Sequence, residues 1–215
     1  PHWIMALGQG GEPEGYLMAH SVNTAILTSQ LYRRSDRTPD TSPQSITMAC
    51  LLMDLGMVLV PQSFHLHRNE MTEEQRKKTR IHPIISKDFL YDVTRRNDDV
   101  NELILKHHER IDGSGYPRQS SSLNQDLQLM TVCDMFEAMS SPRMWRSAMP
   151  PAKVYKILRE EAGQSLDKSW VNTLIRQVGI YPVGSMVRLS NDEPAVVIGH
   201  NESNPSRPSG LPINS

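Results

Sequence analysis

Apolar residues recur at helical spacing along most of the chain. Within residues 15–34 the apolar positions include Leu17, Val22, Ala25 and Ile26, and spacings of three and four residues predict a helix with one buried face. Similar patterns, with turn residues between them, occupy residues 45–59, 72–78, 84–93, 98–108, 123–140, 151–162 and 166–178. The sequence therefore predicts an all-α protein built as a bundle of about seven helices.

The pattern changes after residue 182. The segments SMVRLS and PAVVIG alternate apolar and polar positions and favour β-branched residues, which predicts a short β hairpin. The Gly- and Pro-rich residues 1–14 are expected to form an irregular lead-in, and the Ser-, Pro- and Asn-rich residues 201–215 a loose tail. The predicted organisation is a helical domain at 15–180 followed by a small β extension at 181–200.

Composition narrows the possible partners and compartment. The 215 residues carry a formal net charge of −1, so no global positive field is expected to hold DNA or an anionic membrane. No apolar run is long enough to predict a membrane span. Cys50 and Cys133 lie in apolar helical patterns and are expected to be buried free thiols of a cytoplasmic protein. Because the chain opens on Pro1 rather than Met, we expect an upstream domain in a longer protein.

Several histidines and aspartates are candidate metal ligands. They are His20, Asp54, His82, His107, His108 and Asp134. Apart from the adjacent histidines they lie on separate helical segments, and helix bundles build metal sites from side chains that several helices project inward. Asp54 and Asp134 each interrupt an apolar run, and a buried carboxylate is costly unless it is paired or metal-bound. Histidine and carboxylate ligands suit Fe, Mn, Zn or Ni; a satisfied structural histidine is the alternative at any single position.

One motif resembles a known family. The stretch HHERIDGSGYP at 107–117 is similar to the signature HHExxDGxGYP of HD-GYP domains. HSVNTA from His20, the isolated His82, and VCDMFEAMSSPRMWR from Cys133 agree with it, so the resemblance covers about residues 15–180. It implies an HD-type helical bundle with a β extension found in some members. It also implies a metal-dependent phosphodiesterase that hydrolyses cyclic di-GMP, a bacterial second messenger.

The resemblance implies two metal positions that share Asp54. One would use the positions of His20, Met53, Asp54 and Asp134; the other would use those of Asp54, His82, His107 and His108. The family pattern LLHDIGK reads LLMDLGM here, so Met53 replaces a metal-binding histidine and Met57 a lysine expected to touch the substrate phosphate. Tyr16 stands where members with a third metal have glutamate, so no third metal is expected. A thioether is a poor ligand for Fe or Mn, so we expect one divalent-metal site and an impaired second one.

These departures leave two functions open. The first is a degenerate HD-GYP signalling domain with weak or no phosphodiesterase activity, which acts by binding cyclic di-GMP, another protein or both. The alternative is an active cyclic di-GMP phosphodiesterase in which metal-bound hydroxide hydrolyses the phosphodiester, with Asp54 and Asp134 as catalytic residues. The replacements at Met53 and Met57 favour the first.

The resemblance also implies contacts with ligand and partner. Arg143 and Arg146 match positions that contact the phosphates of the cyclic dinucleotide, and arginine binds phosphate well; surface arginines after a helix end are the alternative. The turn that holds Gly113, Tyr116 and Pro117 is expected to be exposed and to contact the GGDEF domains of diguanylate cyclases. A simple turn without a partner is the alternative there.

Overall fold

The computed structural model describes residues 15–61, 71–94, 98–143, 146–179, 181, 183–199, 201, 204 and 207–213. Within these ranges the helices are α1 (Tyr16–Arg33), α2 (Pro43–Leu52), α3 (Glu73–Thr79), α4 (His82–Thr94), α5 (Asp99–Lys106), α6 (Gln125–Ser140), α7 (Pro151–Glu161) and α8 (Lys168–Val178), with a 3-10 helix at Leu55–Leu59. Three strands follow: β1 (Met186–Arg188), β2 (Pro194–Gly199) and β3 (Ser209–Pro212). The predicted helical fold with strands only at the C-terminal end is confirmed. The lead-in expected at 1–14 lies outside the described residues.

Helix starts follow the capping residues of the sequence. Thr72 caps α3 with a complete capping box, in which Gln75 reaches back to the Thr72 backbone N–H. Asp98, Asn124 and Asp167 each accept a backbone hydrogen bond at the starts of α5, α6 and α8. Each side chain satisfies a donor that the first turn of a helix leaves unpaired.

The helix predicted over 45–59 is interrupted in its middle. Helix α2 ends at Leu52 and the chain resumes as a 3-10 helix at Leu55. The break is held against α4, because Ser86 Oγ accepts a hydrogen bond from the Gly56 N–H at 2.7 Å and donates one to the Met53 carbonyl at 2.7 Å. A Cβ on Gly56 would lie only 2.3 Å from the His82 carbonyl oxygen, so only glycine permits this approach.

Helix α6 forms the centre of the hydrophobic core. Its buried apolar residues include Leu129, Met130 and Val132, and it packs against α1, α7 and α8. Trp170 and Leu174 of α8 are fully buried in the same cluster. Because α6 is buried on most of its surface, its polar residues Asp134 and Glu137 lie inside the protein.

The C-terminal strands form one small antiparallel sheet in the order β1-β2-β3. Met186 pairs with Val196 as the predicted hairpin requires, and Leu211 pairs with Val196 from the other side. The sheet therefore has one strand more than the predicted hairpin, and this strand comes from the segment expected to be loose. Ala195 and Val197 of β2 are buried. The residues of β3 are all exposed, so β3 is held to β2 mainly by backbone hydrogen bonds. In the described part of the chain, no helix combines the length and the hydropathy that crossing a bilayer requires.

Candidate metal centre

Four of the predicted ligands meet at the ends of helices. Asp54 lies in the break after α2, His82 begins α4, and His107 and His108 directly follow α5. Each offers one ligand atom, and these atoms all lie within 4.8 Å of one another. The sequence folds this way because the Gly56–Ser86 contact brings the break after α2 onto α4.

Backbone hydrogen bonds fix which ring nitrogens face this group. His82 Nδ1 lies 2.8 Å from the Thr79 carbonyl oxygen, and His107 Nδ1 lies 2.7 Å from the Ile104 carbonyl oxygen. A carbonyl only accepts, so both Nδ1 atoms donate and each neutral ring presents a bare Nε2. The two Nε2 atoms are 3.4 Å apart, and His82 Nε2 is 3.2 Å from Asp54 Oδ1. Such convergent acceptors fit a divalent cation, with the backbone carbonyls orienting the ligands.

Burial favours the neutral form of two of these histidines. Burial, together with the nearby His82, lowers the pKa of His107 to about 4. Burial and the rings of His107 and His82 lower the pKa of His108 well below its usual range. Neutral imidazoles at neutral pH are the form in which histidine binds a metal.

A second polar group lies on the other side of Asp54. His20 Nε2 is 2.9 Å from Asp134 Oδ1 and 3.5 Å from Asp54 Oδ2. His20 Nδ1 donates to Glu137 Oε2. Asp134 also approaches His108, with 3.7 Å between Oδ2 and Nδ1. All six predicted ligands therefore lie around Asp54 and Asp134.

The charges of this second group reinforce one another. Burial alone would lower the pKa of His20, but hydrogen bonds to Asp134 and Glu137 outweigh it and raise this pKa to about 10. Burial opposes ionisation of Glu137, yet His20 and Arg143 lower its pKa to about 2. Burial likewise opposes the charge of Asp54, and His82, His20 and His107 hold its pKa well below its usual range.

Five of the six predicted ligands, all except the fully buried His107, line a cleft of about 470 Å³. The lining is rich in methionine and includes Met57, Met71, Met135, Met139 and Met149. Met53 is 0% exposed and belongs to the hydrophobic core, and it is not among the described residues that line the cleft. The position next to Asp54 therefore contributes to packing, and the position of Met57 contributes apolar surface.

Both predicted phosphate-binding arginines line the cleft. The Arg143 guanidinium lies 3.5 Å from Glu137 Oε2 and stacks over the Tyr16 ring at 4.7 Å. Arg146 donates to the carbonyls of Met139 at 3.2 Å and Ala138 at 2.6 Å. Arg146 thus satisfies carbonyls at the end of α6, whereas Arg143 is held among side chains of the cleft.

Comparison with known proteins identifies the family of this chain. Residues 18–170 match the family model described as HD domain. The chain belongs to the HD domain family. A cyclic di-GMP phosphodiesterase from Pseudomonas aeruginosa is 29% identical over 92% of this chain and 48% of its own length. The cyclic di-GMP phosphodiesterase response regulator RpfG of Xanthomonas campestris is 32% identical over 61% of this chain and 35% of its own length.

One relative of this HD domain is named for a cyclic dinucleotide other than cyclic di-GMP. A 3'3'-cGAMP-specific phosphodiesterase from Vibrio cholerae is 25% identical over 78% of this chain and 36% of its own length. The HDG"Y"P protein Bd1817 of Bdellovibrio bacteriovorus has a similar fold, with a TM-score of 0.60 and 20% identity over 74% of this chain and 51% of that one. The chain spans about half the length of these relatives or less. Together with HHERIDGSGYP, these findings support an HD-GYP domain.

The glutamate and the glycines of the HD-GYP signature each have a structural role in the loop after α5. Glu109 is fully buried, and its carboxylate accepts hydrogen bonds from the Arg118 N–H at 2.6 Å and the Ser120 N–H at 2.9 Å. Gly113 has a φ of +77°, which favours glycine. A Cβ on Gly115 would lie 2.4 Å from Glu109 Cα. Glutamate and glycines therefore fold the loop back onto the histidine pair.

The expected exposure of this turn is confirmed only for Asp112 and Ser114, because Gly113, Tyr116 and Pro117 are half-buried. Gly115 is buried, and the Tyr116 ring packs on the His108 ring with 4.6 Å between centroids. Arg80 covers Tyr116 from 5.4 Å. Tyr116 therefore lines the cleft, because the tight turn at Gly115 directs it inward. Asp112 and Ser114 are the exposed part of the turn.

The sequence pattern did not identify the roles of Glu137, Glu109 and Tyr16. Glu137 follows Asp134 by three residues, so the same face of α6 carries both, and this spacing could have identified it. Glu109 lies inside the recognised signature without an assigned role. Tyr16 was considered only as the residue in place of a glutamate, and its stacking on Arg143 depends on how α1 packs.

Proposed function

We propose that this HD-GYP domain acts in bacterial cyclic di-GMP signalling by binding cyclic di-GMP, another protein or both, with weak or no phosphodiesterase activity. One observation carries the proposal: a complete ligand cluster at Asp54, His82, His107 and His108 adjoins a position whose expected ligand is replaced by core-packed Met53. The cleft thus retains groups for binding and lacks one for hydrolysis.

The metal would be held by Asp54, His82, His107 and His108. A divalent ion in that place supplies positive charge for a phosphate and polarises water. Around it, the bare Nε2 atoms and Asp54 are oriented before any ion binds. At the second metal position, His20 and Asp134 share Asp54 with the first. The remaining expected ligand is Met53, and its thioether is a poor ligand for Fe or Mn. One strong ion per chain is therefore expected.

The ligand would be a cyclic dinucleotide. Arg143 lies in the cleft wall and can meet a phosphate, with Arg146 beside it at the end of α6. The methionines of the cleft lining offer polarizable thioethers, which pack well against aromatic faces such as nucleobases. Relatives are named for cyclic di-GMP and for 3'3'-cGAMP, so the binding of both ligands to this chain should be measured.

One observation favours an active enzyme as the second candidate. His20, Asp54 and Asp134 remain in mutual contact, at 2.9 and 3.5 Å from His20 Nε2. A weakly bound second ion there would restore a two-metal arrangement, in which two ions stabilise the attacking and leaving oxygens of phosphoryl transfer. This alternative predicts hydrolysis that depends on metal concentration.

The deciding experiment uses purified protein loaded with Mn²⁺ or Fe²⁺. We expect about one tightly held ion per chain by elemental analysis, cyclic di-GMP binding by calorimetry, and little or no hydrolysis, with 3'3'-cGAMP measured in parallel. Hydrolysis at about 1 s⁻¹ or faster, ordinary for an enzyme, and its loss in Asp54→Ala would instead establish the phosphodiesterase. Two fully occupied ions with N and O ligands would also contradict the proposal.

A further inference from the structure

Glu137 joins two parts of the cleft that the sequence treats separately. Its Oε1 accepts hydrogen bonds from Asn23 Nδ2 at 3.0 Å and Ser141 Oγ at 2.5 Å. Its Oε2 accepts from His20 Nδ1 and faces Arg143 at 3.5 Å. Glu137 is 5% exposed, and these partners satisfy its carboxylate.

Arg143 depends on Glu137 for its place. The Arg143 side chain is 8% exposed, and a guanidinium so buried needs a compensating charge. Glu137 supplies that charge, and the Tyr16 ring supports the flat face of the guanidinium. Two donors, His20 Nδ1 and Arg143, lie 3.3 Å apart and share Glu137 Oε2. Without the carboxylate they would face each other with no acceptor between them.

We propose that Glu137 is a positioning residue for ligand binding, which acts through Arg143 by holding its guanidinium in the cleft wall against Tyr16. The inference rests on the proposed function, because it requires that a cyclic dinucleotide occupies this cleft. A guanidinium fixed before the ligand arrives loses less conformational freedom on binding than a free one. Glu137 therefore raises affinity without touching the ligand.

Asp126 provides a matched control on the same helix. It is 0% exposed and also accepts several hydrogen bonds, from Tyr32 Oη, the Thr41 N–H and Thr41 Oγ1 at 2.7 to 3.0 Å. It lies eleven positions before Glu137, about 16 Å along the helix axis. Replacing it removes a comparable buried carboxylate without touching the cleft.

The test measures two affinities on the same variants, for Mn²⁺ alone and for cyclic di-GMP. In Glu137→Ala we expect cyclic di-GMP affinity to fall about tenfold or more, as for a lost charge-assisted contact. We expect a smaller change in Mn²⁺ affinity, about threefold or less, since Glu137 contacts none of the four cluster ligands and reaches Asp54 only through His20. Asp126→Ala should lower stability and change neither affinity.

Glu137→Gln is the second variant, for the case in which Glu137→Ala fails to fold. Its oxygen can still accept from His20, and its amide can donate to Asn23 Oδ1 once the Asn23 amide flips, because Asn23 Oδ1 is a buried atom with no hydrogen-bond partner among the described residues. It lacks the charge that holds Arg143, so we expect a stable protein with weakened cyclic di-GMP binding. If Glu137 acts through Arg143, Glu137→Gln should have no further effect in an Arg143→Ala background.

Each result decides the question. Unchanged cyclic di-GMP affinity in Glu137→Ala and Glu137→Gln would overturn the inference and leave the proposed function intact. An equal loss of both affinities would assign Glu137 a general structural role, and additive effects of Glu137→Gln and Arg143→Ala would separate the two residues. A wild-type protein that binds no cyclic di-GMP would refute the proposed function, and the inference with it.

Discussion

At the scale of single residues, Met53 and Met57 lie in different surroundings, although the HD-GYP resemblance predicts a polar residue at both positions. Met53 is fully buried in the core, whereas Met57 lines the cleft. A thioether fills irregular apolar space well, so Met53 packs in the core at the position where the resemblance predicts a metal ligand. Met57, where the resemblance predicts a lysine, adds an uncharged side chain to the cleft lining.

Restoring both residues tests whether these losses limit hydrolysis. Met53→His with Met57→Lys should take up a second ion and hydrolyse cyclic di-GMP faster than either single variant. Each restored contact can contribute about 10²–10³ in rate, without the two adding in full. The measurements are metal content and initial rates. Met53→Leu is the packing control, and a double variant that gains neither metal nor activity would show that more than these residues is missing.

His107 makes a prediction for the pH dependence of the metal-free protein. Its folded pKa of about 4 lies below the ordinary 6.5, so the unfolded chain binds the proton more tightly. The contribution of His107 to stability is therefore complete above the ordinary pKa and is lost as the pH falls from 6.5 towards 4. Urea unfolding in chelator should show a shallower loss over this range in His107→Asn, whose amide can still donate to Ile104. Identical slopes would contradict this assignment.

At the scale of elements, short contacts between helix ends assemble the centre. The break after α2 is set on α4 by Gly56 and Ser86, and the loop after α5 is folded back by Glu109. None of these residues is a ligand. They decide whether Asp54 meets His82 and whether Tyr116 reaches His108.

Gly56→Ala should separate Asp54 from His82. The added Cβ would lie 2.3 Å from the His82 carbonyl oxygen, and this backbone neighbour cannot move without shifting α4. We expect a loss of about 1–3 kcal/mol in the free energy of unfolding and a Mn²⁺ affinity at least about tenfold weaker. Gly15→Ala is the control, since a Cβ there has nothing within 4 Å. Unchanged Mn²⁺ binding in Gly56→Ala would show that the contact does not position the ligands.

The turn at 112–117 has an exposed side with Asp112 and Ser114, and a cleft side with Tyr116. The predicted GGDEF-domain contact through Gly113, Tyr116 and Pro117 stays a prediction, and the exposed residue Ser114 is now the better probe. Ser114→Arg should weaken capture of a GGDEF domain and leave Mn²⁺ binding unchanged, whereas Tyr116→Ala should disturb the His108 side of the cleft. Pull-downs and metal titration measure the two effects. Capture that is insensitive to Ser114→Arg would remove support for this surface.

At the scale of the whole molecule, the centre couples distant parts of the chain. His20 on α1 and Glu137 on α6 are 117 residues apart, and Asp54, His82 and His107 come from three further places. A ligand that binds only the folded arrangement stabilises the whole fold by mass action. The metal should therefore act on global stability as well as on the site.

Metal addition should raise the midpoint of thermal unfolding. At a free Mn²⁺ concentration one hundred times the dissociation constant, the expected stabilisation is about 2.7 kcal/mol. Scanning calorimetry with Mn²⁺ and with chelator measures it. Asp54→Asn should abolish the difference, because Asp54 is the carboxylate among the four cluster ligands, whereas Asp126→Asn should keep it. A midpoint insensitive to metal in the wild-type protein would argue against a specific site.

The sequence by itself determined most of the helices, the change to strands near residue 182, and the candidate ligand residues. Helical periodicity and capping, as at Thr72, are local properties, and HHERIDGSGYP is contiguous in the chain. Only the tertiary structure decided that Met53 faces the core, that Tyr116 turns onto His108, and that Glu137 lies between His20 and Arg143. These depend on how α1, α2 and α6 pack, and residue spacing within one helix carries no information on which other helix it meets. The third strand escaped prediction for the same reason, because β3 forms only where β2 offers an edge.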